Sequence, residues 1–547
     1  MTPFCIAGAQ PPAPSHSIQH PGDKKLTLPE FSDEKPTSQL SLPPLIPANK
    51  EELSAQLRIS VKKIHLKGNT VFSDEELGKI TASYIDRVIS AAELQQLRHT
   101  LTLYYINRGY INSGVIIPDQ QITNNEITLQ VIEGQLTDIQ LSGNTRLRRD
   151  YINNRLTLTK TSILNVNDLQ QRLQLIKQNP LIKRINAELG PGNEPGQSIL
   201  RVKIEEDIPY QIAATVNNYN SPSVGSERLQ LEGFHRNLSG RGDTLTARIG
   251  VTEGLDDVSL SYLLPLNARD TTLNIRYEQS DSAVIEEPFD DIDIESNSRS
   301  FGITLRHPIR KTTEEEVAIA VTLERRRSET FLLGMPFSFS PGTDGGKSDV
   351  TALRLSHEWL QRTRKRVLAA RSQFSMGIKA LGATVNTDAP DGRFLTWLGQ
   401  FQWVQRTGDQ DNQFIVGANM QLADHGLLPL EKFSVGGVNS VRGYRENQLV
   451  RDNGIITTIE YRQPILINRW AESRLQFAQF IDAGLSWNNS EYSQRQGIAS
   501  VGVGILWDYG KKLHAELYLA KGFKDFTNEE HNLQDSGVHF QLRYNFF

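Results

Sequence analysis

Glu316-Val317-Ala318-Ile319-Ala320-Val321-Thr322-Leu323 sets bulky apolar side chains at odd positions and small or polar ones at even positions. Successive side chains of a strand point to opposite faces, so this stretch reads as a strand with one face against an apolar medium. The same alternation puts Leu245, Ala247, Ile249 and Val251 opposite Thr244, Thr246, Arg248 and Gly250. Segments of this kind recur from Tyr210 to Phe547, at 210–219, 226–236, 242–253, 256–265, 271–281, 298–309, 315–328, 349–361, 369–381, 395–406, 413–422, 455–466, 474–486, 498–508, 512–521 and 538–546. Each strand with its connection averages about 21 residues, which suits strands of about 10 residues joined by turns and loops. The count is even, as a closed antiparallel membrane barrel with both ends on one side requires. A soluble sandwich or propeller is the competing reading. It is weakened by the lack of a blade-length repeat and by the terminal alternation Val538, Phe540, Leu542, Tyr544, Phe546.

Composition narrows the rest. A chain of 547 residues implies several structural units. The net charge of −4 leaves no basic footprint, so nucleic acid is not an expected partner. Mean hydropathy is −0.41, and no apolar run approaches the roughly 20 residues of a membrane helix. That excludes a helical membrane protein and leaves a barrel open, because barrel strands mix lipid-facing and lumen-facing residues. The single cysteine, Cys5, excludes an intrachain disulfide and a cysteine-based metal site. Residues 1–9 end in Ala7-Gly8-Ala9, the pattern of a signal-peptide cleavage site, with an ordinary unstructured N-terminus as the alternative. Residues 10–57 are rich in proline and read as an arm or linker, with a short helix possible from Asn49. The eleven histidines show no H-E-x-x-H spacing and no phosphate-cradling glycine loop is present, so neither catalysis nor a cofactor or metal is expected.

Between arm and barrel the chain repeats itself. Val61, Ile64, Leu66, Gly68, Asn69 and Thr70 correspond to Leu136, Ile139, Leu141, Gly143, Asn144 and Thr145. Each copy opens on an alternating strand and a Gly-Asn turn, continues into a helical stretch (Ala92, Leu94, Leu97, Leu101; then Leu169, Leu173, Leu175, Ile176), and closes on strands. Two β-α-β-β modules, 58–134 and 135–207, are expected; a single α+β domain is the alternative.

One connection within the barrel stands out. If the modules lie on the periplasmic side, the loop between the eleventh and twelfth segments, at about 423–454, is the sixth external one. It carries Val441-Arg442-Gly443-Tyr444 among Gly426, Gly436 and Gly437, and is long enough to need a docking surface. The thirteenth segment should turn Leu475, Phe477, Ile481 and Leu485 to lipid and Gln476, Phe480, Asp482, Gly484 and Ser486 to the lumen. Its neighbour turns Gly502 and Gly504 inward, which leaves room for another backbone. The expectation is that this loop folds into the pore and Arg442 pairs with Asp482, with Glu460 as competing partner; a planar guanidinium suits a carboxylate.

These motifs together resemble the outer-membrane transporters of two-partner secretion, the TpsB proteins of the ShlB/FhaC/HecB haemolysin secretion/activation family. The resemblance runs over roughly residues 58–547. It rests on Tyr105 to Ser113 with Gly109 and Tyr110, Pro118 and Gln120, Glu133 and Gly134, Asn179-Pro180, Asn217-Asn218, the stretch Asn237 to Asp243, the Val441–Tyr444 loop and Phe480-x-Asp482-x-Gly484. It implies a 16-stranded outer-membrane β-barrel (208–547) preceded by two small α+β POTRA domains in the periplasm. It also implies export of a large secreted TpsA-type exoprotein without ATP, with the loop arginine on the strand aspartate. Outer-membrane lipid, the barrel-assembly machinery and a monomeric state follow as partners and state. Tyr544, Phe546 and Phe547 form the candidate C-terminal assembly signal. Family members often carry an N-terminal helix in the pore; the prolines of residues 10–50 argue for a shortened one or none. A barrel-assembly insertase of the wider superfamily is the alternative, and a simple porin a third reading.

Overall fold

The computed structural model describes residues 58–547 apart from 158–162, 388–389, 409–410, 469–471, 490–493, 527 and 529–530, together with Leu26, Phe31, Leu40 and Ser41. The expected cleavage site and the helix near Asn49 lie outside the described residues. The chain forms two compact units, Lys35–Asp207 and the barrel unit Ile208–Phe547 with Met1–Glu34.

The first unit holds two modules of one topology. In the first, strand Lys63–Lys67 runs parallel to Glu126–Ile132, which pairs antiparallel with Gly114–Ile116. In the second, Gln135–Ser142 runs parallel to Gln197–Glu206, which pairs antiparallel with Ile182–Pro191. The expected β-α-β-β order needs correction: each module has two helices before its last two strands, Asp74–Thr81 and Ala91–Ile106 in one, Arg149–Leu156 and Val166–Lys177 in the other. In the first module a short strand, Arg87–Ser90, lies between the helices and pairs with Arg58–Val61. The first helix of each is only two turns long, too short to develop the apolar periodicity used to find the second. A local signal was present in one case, since Ser73 and Glu76 form a reciprocal capping box. Each module closes over its own core: Leu77, Leu97, Leu101, Tyr105, Ile127 and Leu129 in one, Ile152, Leu169, Leu173, Ile185 and Leu200 in the other. Burying each such side chain contributes about 1.5–3 kcal/mol.

The repeated Gly-Asn-Thr turn is tied to the end of each module by a carboxylate. Glu133 accepts from Thr70 N (2.7 Å), Thr70 Oγ1 (2.6 Å) and Val71 N (3.0 Å); Glu206 accepts from Thr145 N (3.0 Å) and Leu147 N (2.9 Å). Gly68 and Gly143 hold positive φ there, and a Cβ on Gly68 would lie 2.5 Å from the Val131 carbonyl oxygen. Asn69 accepts from Tyr105 Oη (2.7 Å) and Phe72 N, while Asn144 Nδ2 donates to the Leu147 carbonyl (3.0 Å). Gln120 bonds both backbone groups of Thr128, and also donates to the Pro118 carbonyl (3.3 Å). Tyr110 sets its ring edge-on to Phe72. Gly109 and Gly134 lie where the modules meet, against Asn165 and Asn112, whose side chains leave no room for a Cβ. Gly68, Asn69, Tyr110, Pro118, Gln120, Glu133, Gly143 and Asn144 thus brace the modules internally, and Gly109 and Gly134 lie at the junction between them.

The second unit is a closed antiparallel barrel of sixteen spanning strands. They are β1 (Tyr210–Asn217), β2 (Arg228–Arg236), β3 (Thr244–Val251), β4 (Leu255–Pro265), β5 (Thr272–Ala283), β6 (Ile294–Lys311), β7 (Glu315–Leu332), β8 (Lys347–Arg362), β9 (Arg366–Gly377), β10 (Leu395–Thr407), β11 (Asn412–Ala423), β12 (Asn453–Asn468), β13 (Ser473–Trp487), β14 (Gln496–Tyr509), β15 (Leu513–Gly522) and β16 (Val538–Asn545). The alternation sorts as expected: on β7, Val321 and Leu323 are exposed outward while Ala318 and Ala320 are buried inward. Short connections such as 312–314 and 363–365 mark one end of the barrel, and long ones such as 378–394 and 424–452 the other.

The ring closes where β1 meets β16, from Ala213 opposite Asn545 to Asn217 opposite Gln541. Asn218 extends this seam with its side chain, which acts as a surrogate peptide. Nδ2 donates to the Val538 carbonyl (2.8 Å) and Oδ1 accepts from Phe540 N (2.8 Å). Asn218→Ala would strand a buried donor and a buried acceptor, each worth about 1–3 kcal/mol. The expected outcome is a lower temperature for the gel-mobility transition that reports barrel unfolding, and no change in the circular dichroism of the two N-terminal modules.

Candidate functional site

The β11–β12 connection turns back into the lumen as a hairpin, Phe433–Val435 against Leu449–Arg451. Gly436 and Gly437 adopt positive φ at its bend. The tip is internally fixed: Gly436 N donates to Ser440 Oγ (2.8 Å), Gly437 N to the Val441 carbonyl (3.2 Å) and Val438 N to Glu446 Oε1 (2.6 Å). Phe433, Val435 and Val441 are fully buried and pack on wall residues Leu398, Ile456 and Ile498.

Arg442 projects from this tip into the wall. Its Nε and Nη2 donate to Asp482 Oδ2 (2.7 Å) and Oδ1 (2.9 Å), a two-pronged pairing, and its backbone N–H also donates to Oδ2 (3.2 Å). Nη1 donates to Glu460 Oε2 (2.5 Å). Glu460 in turn accepts from Arg462. Asp482 and Glu460, read from sequence as competitors, thus bind the guanidinium together. The Phe480 ring centroid lies 3.5 Å from the guanidinium carbon and that of Tyr518 4.9 Å away, so the cation is also faced by two aromatic rings. Arg442 is 4 % exposed and Asp482 0 %, which removes the competition of bulk water from the pairing. The remaining motif residues add bonds to other strands. Gly443 N donates to His539 Nε2 (3.0 Å), and Tyr444 Oη donates to the Ala499 carbonyl (3.0 Å) while accepting from Lys524 N (3.0 Å).

The glycine expectation is corrected in detail. Gly502 and Gly504 face inward, but a Cβ on them would strike the rings of Phe480 and Tyr518, not the loop backbone. They are cleared for the aromatic rings that flank Arg442. The loop's own close approaches fall elsewhere: a Cβ on Gly484 would overlap the Val435 side chain, and one on Gly522 would lie 2.7 Å from the Tyr444 ring. Tyr518, His539 and Gly522 were not legible as site residues, because their height along their strands depends on register.

Further along, Arg445 Nε and Nη2 donate to both oxygens of Asp535 (2.7 Å each), in the β15–β16 connection, and Nη1 pairs with Glu286. Burial would raise the Asp535 pKa, but the Arg445 guanidinium and the Asn532 backbone N–H outweigh it and hold the carboxyl below its ordinary value. Below the hairpin a lumenal cavity of about 310 Å³ is lined by Arg442, Glu460, Arg462, Gln402 and two residues of the proline-rich arm, Leu26 and Phe31. The Arg406 guanidinium carbon lies 3.9 Å from the Phe31 ring centroid. The arm, read from sequence as an extended arm or linker, therefore contributes side chains to the barrel interior. At the C-terminus Tyr544 and Phe546 are exposed on the outer face, ring against ring, while Phe547 meets Tyr210.

Comparison with known proteins places these features in context. A family model described as haemolysin secretion/activation protein ShlB/FhaC/HecB matches residues 196–506, and one described as POTRA domain, ShlB-type, matches residues 59–134. The chain is 22 % identical over 452 residues to the outer membrane transporter CdiB of Dickeya dadantii, covering 79 % of this chain and 77 % of that one. It is 20 % identical over 489 residues to the heme/hemopexin transporter protein HuxB of Haemophilus influenzae, covering 82 % and 81 %. Among solved structures, CdiB from Escherichia coli superposes with a TM-score of 0.69 at 18 % identity, over 92 % of this chain and 93 % of that one, a likeness of fold.

Proposed function

We propose, from the premise that this chain belongs to the haemolysin secretion/activation family ShlB/FhaC/HecB, a mechanism in which the inward-folded loop gates the export of one partner protein. Proteins of this family are outer-membrane transporters and not enzymes, and their POTRA domains stand in the periplasm. Their cargo is a secreted TpsA-type exoprotein. The β11–β12 connection is therefore the sixth external loop, loop 6.

The observation that carries the gating reading is the Arg442 cluster. A loop that only capped the mouth would need no buried cation paired with two wall carboxylates, since desolvating such charges is costly unless they meet. Held there, the hairpin fills the lumen; once the cluster opens, the hairpin can leave and an unfolded chain can pass. We assign cargo capture to the periplasmic modules, by strand addition to an edge of the first module's sheet, Lys63–Lys67 or Gly114–Ile116. The corresponding edge of the second, Ile182–Pro191, is already paired with Leu40–Ser41 of the same chain. The outward Tyr544 and Phe546 are assigned to recognition by the barrel-assembly machinery, and the closed ring to a monomer in lipid.

Deleting the chain tests the reading. Loss from the medium of one secreted protein, the product of a neighbouring gene for a long β-repeat chain, is expected, with other outer-membrane proteins at normal levels. A general fall in outer-membrane proteins would favour an insertase instead.

A further inference from the structure

Loop 6 reverses polarity along its length. Its tip presents a cation to carboxylates on β12 and β13; its descending limb presents a carboxylate, Glu431, to arginines on β7 and β8. Glu431 ends a short 3-10 turn, Pro429–Glu431, and is 1 % exposed. Arg354 Nη2 donates to its Oε1 (2.8 Å) and Nη1 to its Oε2 (3.0 Å), a second two-pronged pairing. Arg326 Nη1 adds a bond to Oε1 (3.3 Å) and one to the Leu430 carbonyl. From β11, Gln421 Nε2 donates to the backbone carbonyl of Glu431 (2.9 Å). Beside this cluster Leu427, Leu428 and Leu430 pack on Val350, Ala352 and Phe394.

The two clusters sit on sectors of the wall separated by β9, β10 and β11. They share no residue. Around Glu431, Arg354 also pairs with Glu324, which pairs in turn with Arg276, itself 3.7 Å from Glu278. Without Glu431, Arg354 would lose its two-pronged partner and keep the carboxylate it shares with Arg276. The loop carboxylate thus supplies Arg354 with a second anion, as the loop arginine supplies Asp482 and Glu460 with a cation.

We propose that Glu431 is a second, independent anchor of loop 6, a positioning residue that keeps the limb of the hairpin on β7 and β8, so that the loop leaves the pore only when both clusters break. This rests on the reading of loop 6 as a gate, and the test separates the two. In a Cys5→Ser background, Leu430→Cys places a thiol at a fully buried position of the limb, and an impermeant maleimide added outside reports its exposure. Glu431→Gln removes the charge with little change of shape and should speed labelling about tenfold or more, with frequent long openings in planar-bilayer recordings; Glu431→Asp should restore most of the closure. Arg442→Ala combined with Glu431→Gln should exceed either alone. Each variant is first shown to be folded by its heat-dependent gel mobility; should Leu430→Cys itself disturb the barrel, the recordings on chains with natural Leu430 decide. Unchanged labelling and unchanged current in Glu431→Gln would overturn the second anchor, whereas unchanged current and unchanged export in Arg442→Ala as well would overturn the gate itself.

Discussion

Replacing Arg442 with alanine is expected to cut most export of the partner while leaving a folded, membrane-inserted barrel. Release of the seated loop must be coupled to arrival of the cargo; a loop already unseated leaks ions and no longer couples the two. The variant leaves Asp482 and Glu460 buried with only Arg462 to balance them. Stranding buried charge in this way costs about 3–5 kcal/mol, which falls on the seated position of the loop. The wall is spared, because its strands are held by backbone ladders around the whole ring. Lysine should rescue poorly: a point charge cannot satisfy both oxygens of Asp482 and a Glu460 oxygen in one plane as the guanidinium does. Immunoblots of medium against periplasm read the export, and heat-dependent gel mobility reads the fold. Normal export by a folded Arg442→Ala chain would remove the gating role.

Gly484→Val should have a comparable effect by steric means. Valine suits a strand, so β13 itself tolerates it. Its side chain would occupy the space filled by Val435, and its Cβ alone would lie 3.0 Å from Val441 Cγ2. Overpacking of this kind costs about 1–3 kcal/mol and can be relieved only by moving the hairpin away from the wall. The pore should leak, seen as higher conductance and sensitivity to large antibiotics, with Arg442 still present. Gly233→Ala is the matched control, since a Cβ there meets nothing nearer than 3.9 Å. Equal leakage from both variants would show that the hairpin does not depend on the space at Gly484.

The barrel was legible because its signal is a period of two repeated many times, and every counted segment coincides with a strand to within a few residues. The larger differences are at β9, which ends at Gly377 short of its predicted end at 381, and at β6 and β7, which run past their predicted ends at 298 and 328 to Ile294 and Leu332. There the alternation gives way to serines and charged residues, so hydrophobicity no longer marks the strand. Periodicity also assigned Asp482 and Phe480 to the lumen, because a residue's face is a local property. Height is not local. Arg354 and Glu431 meet across 77 residues of sequence, and which lumenal residue lies level with which follows from the register of every intervening strand. That is why Glu431, one acidic residue in a loop that offers many polar ones, gave no signal.

The unequal strand lengths have a consequence for the surrounding lipid. β1 and β16 have 8 residues each, β6 and β7 have 18. At about 3.3 Å per residue and a tilt near 40°, the short pair spans a height of roughly 20 Å, under the ~25 Å apolar band of such barrels, while the long pair stands well clear of it. The acyl chains beside the β1–β16 seam must therefore compress or tilt to match, and those beside β6 and β7 need not. The protein carries a graded hydrophobic mismatch around its circumference, and the lipid is most strained where the ring is held by the fewest backbone pairs.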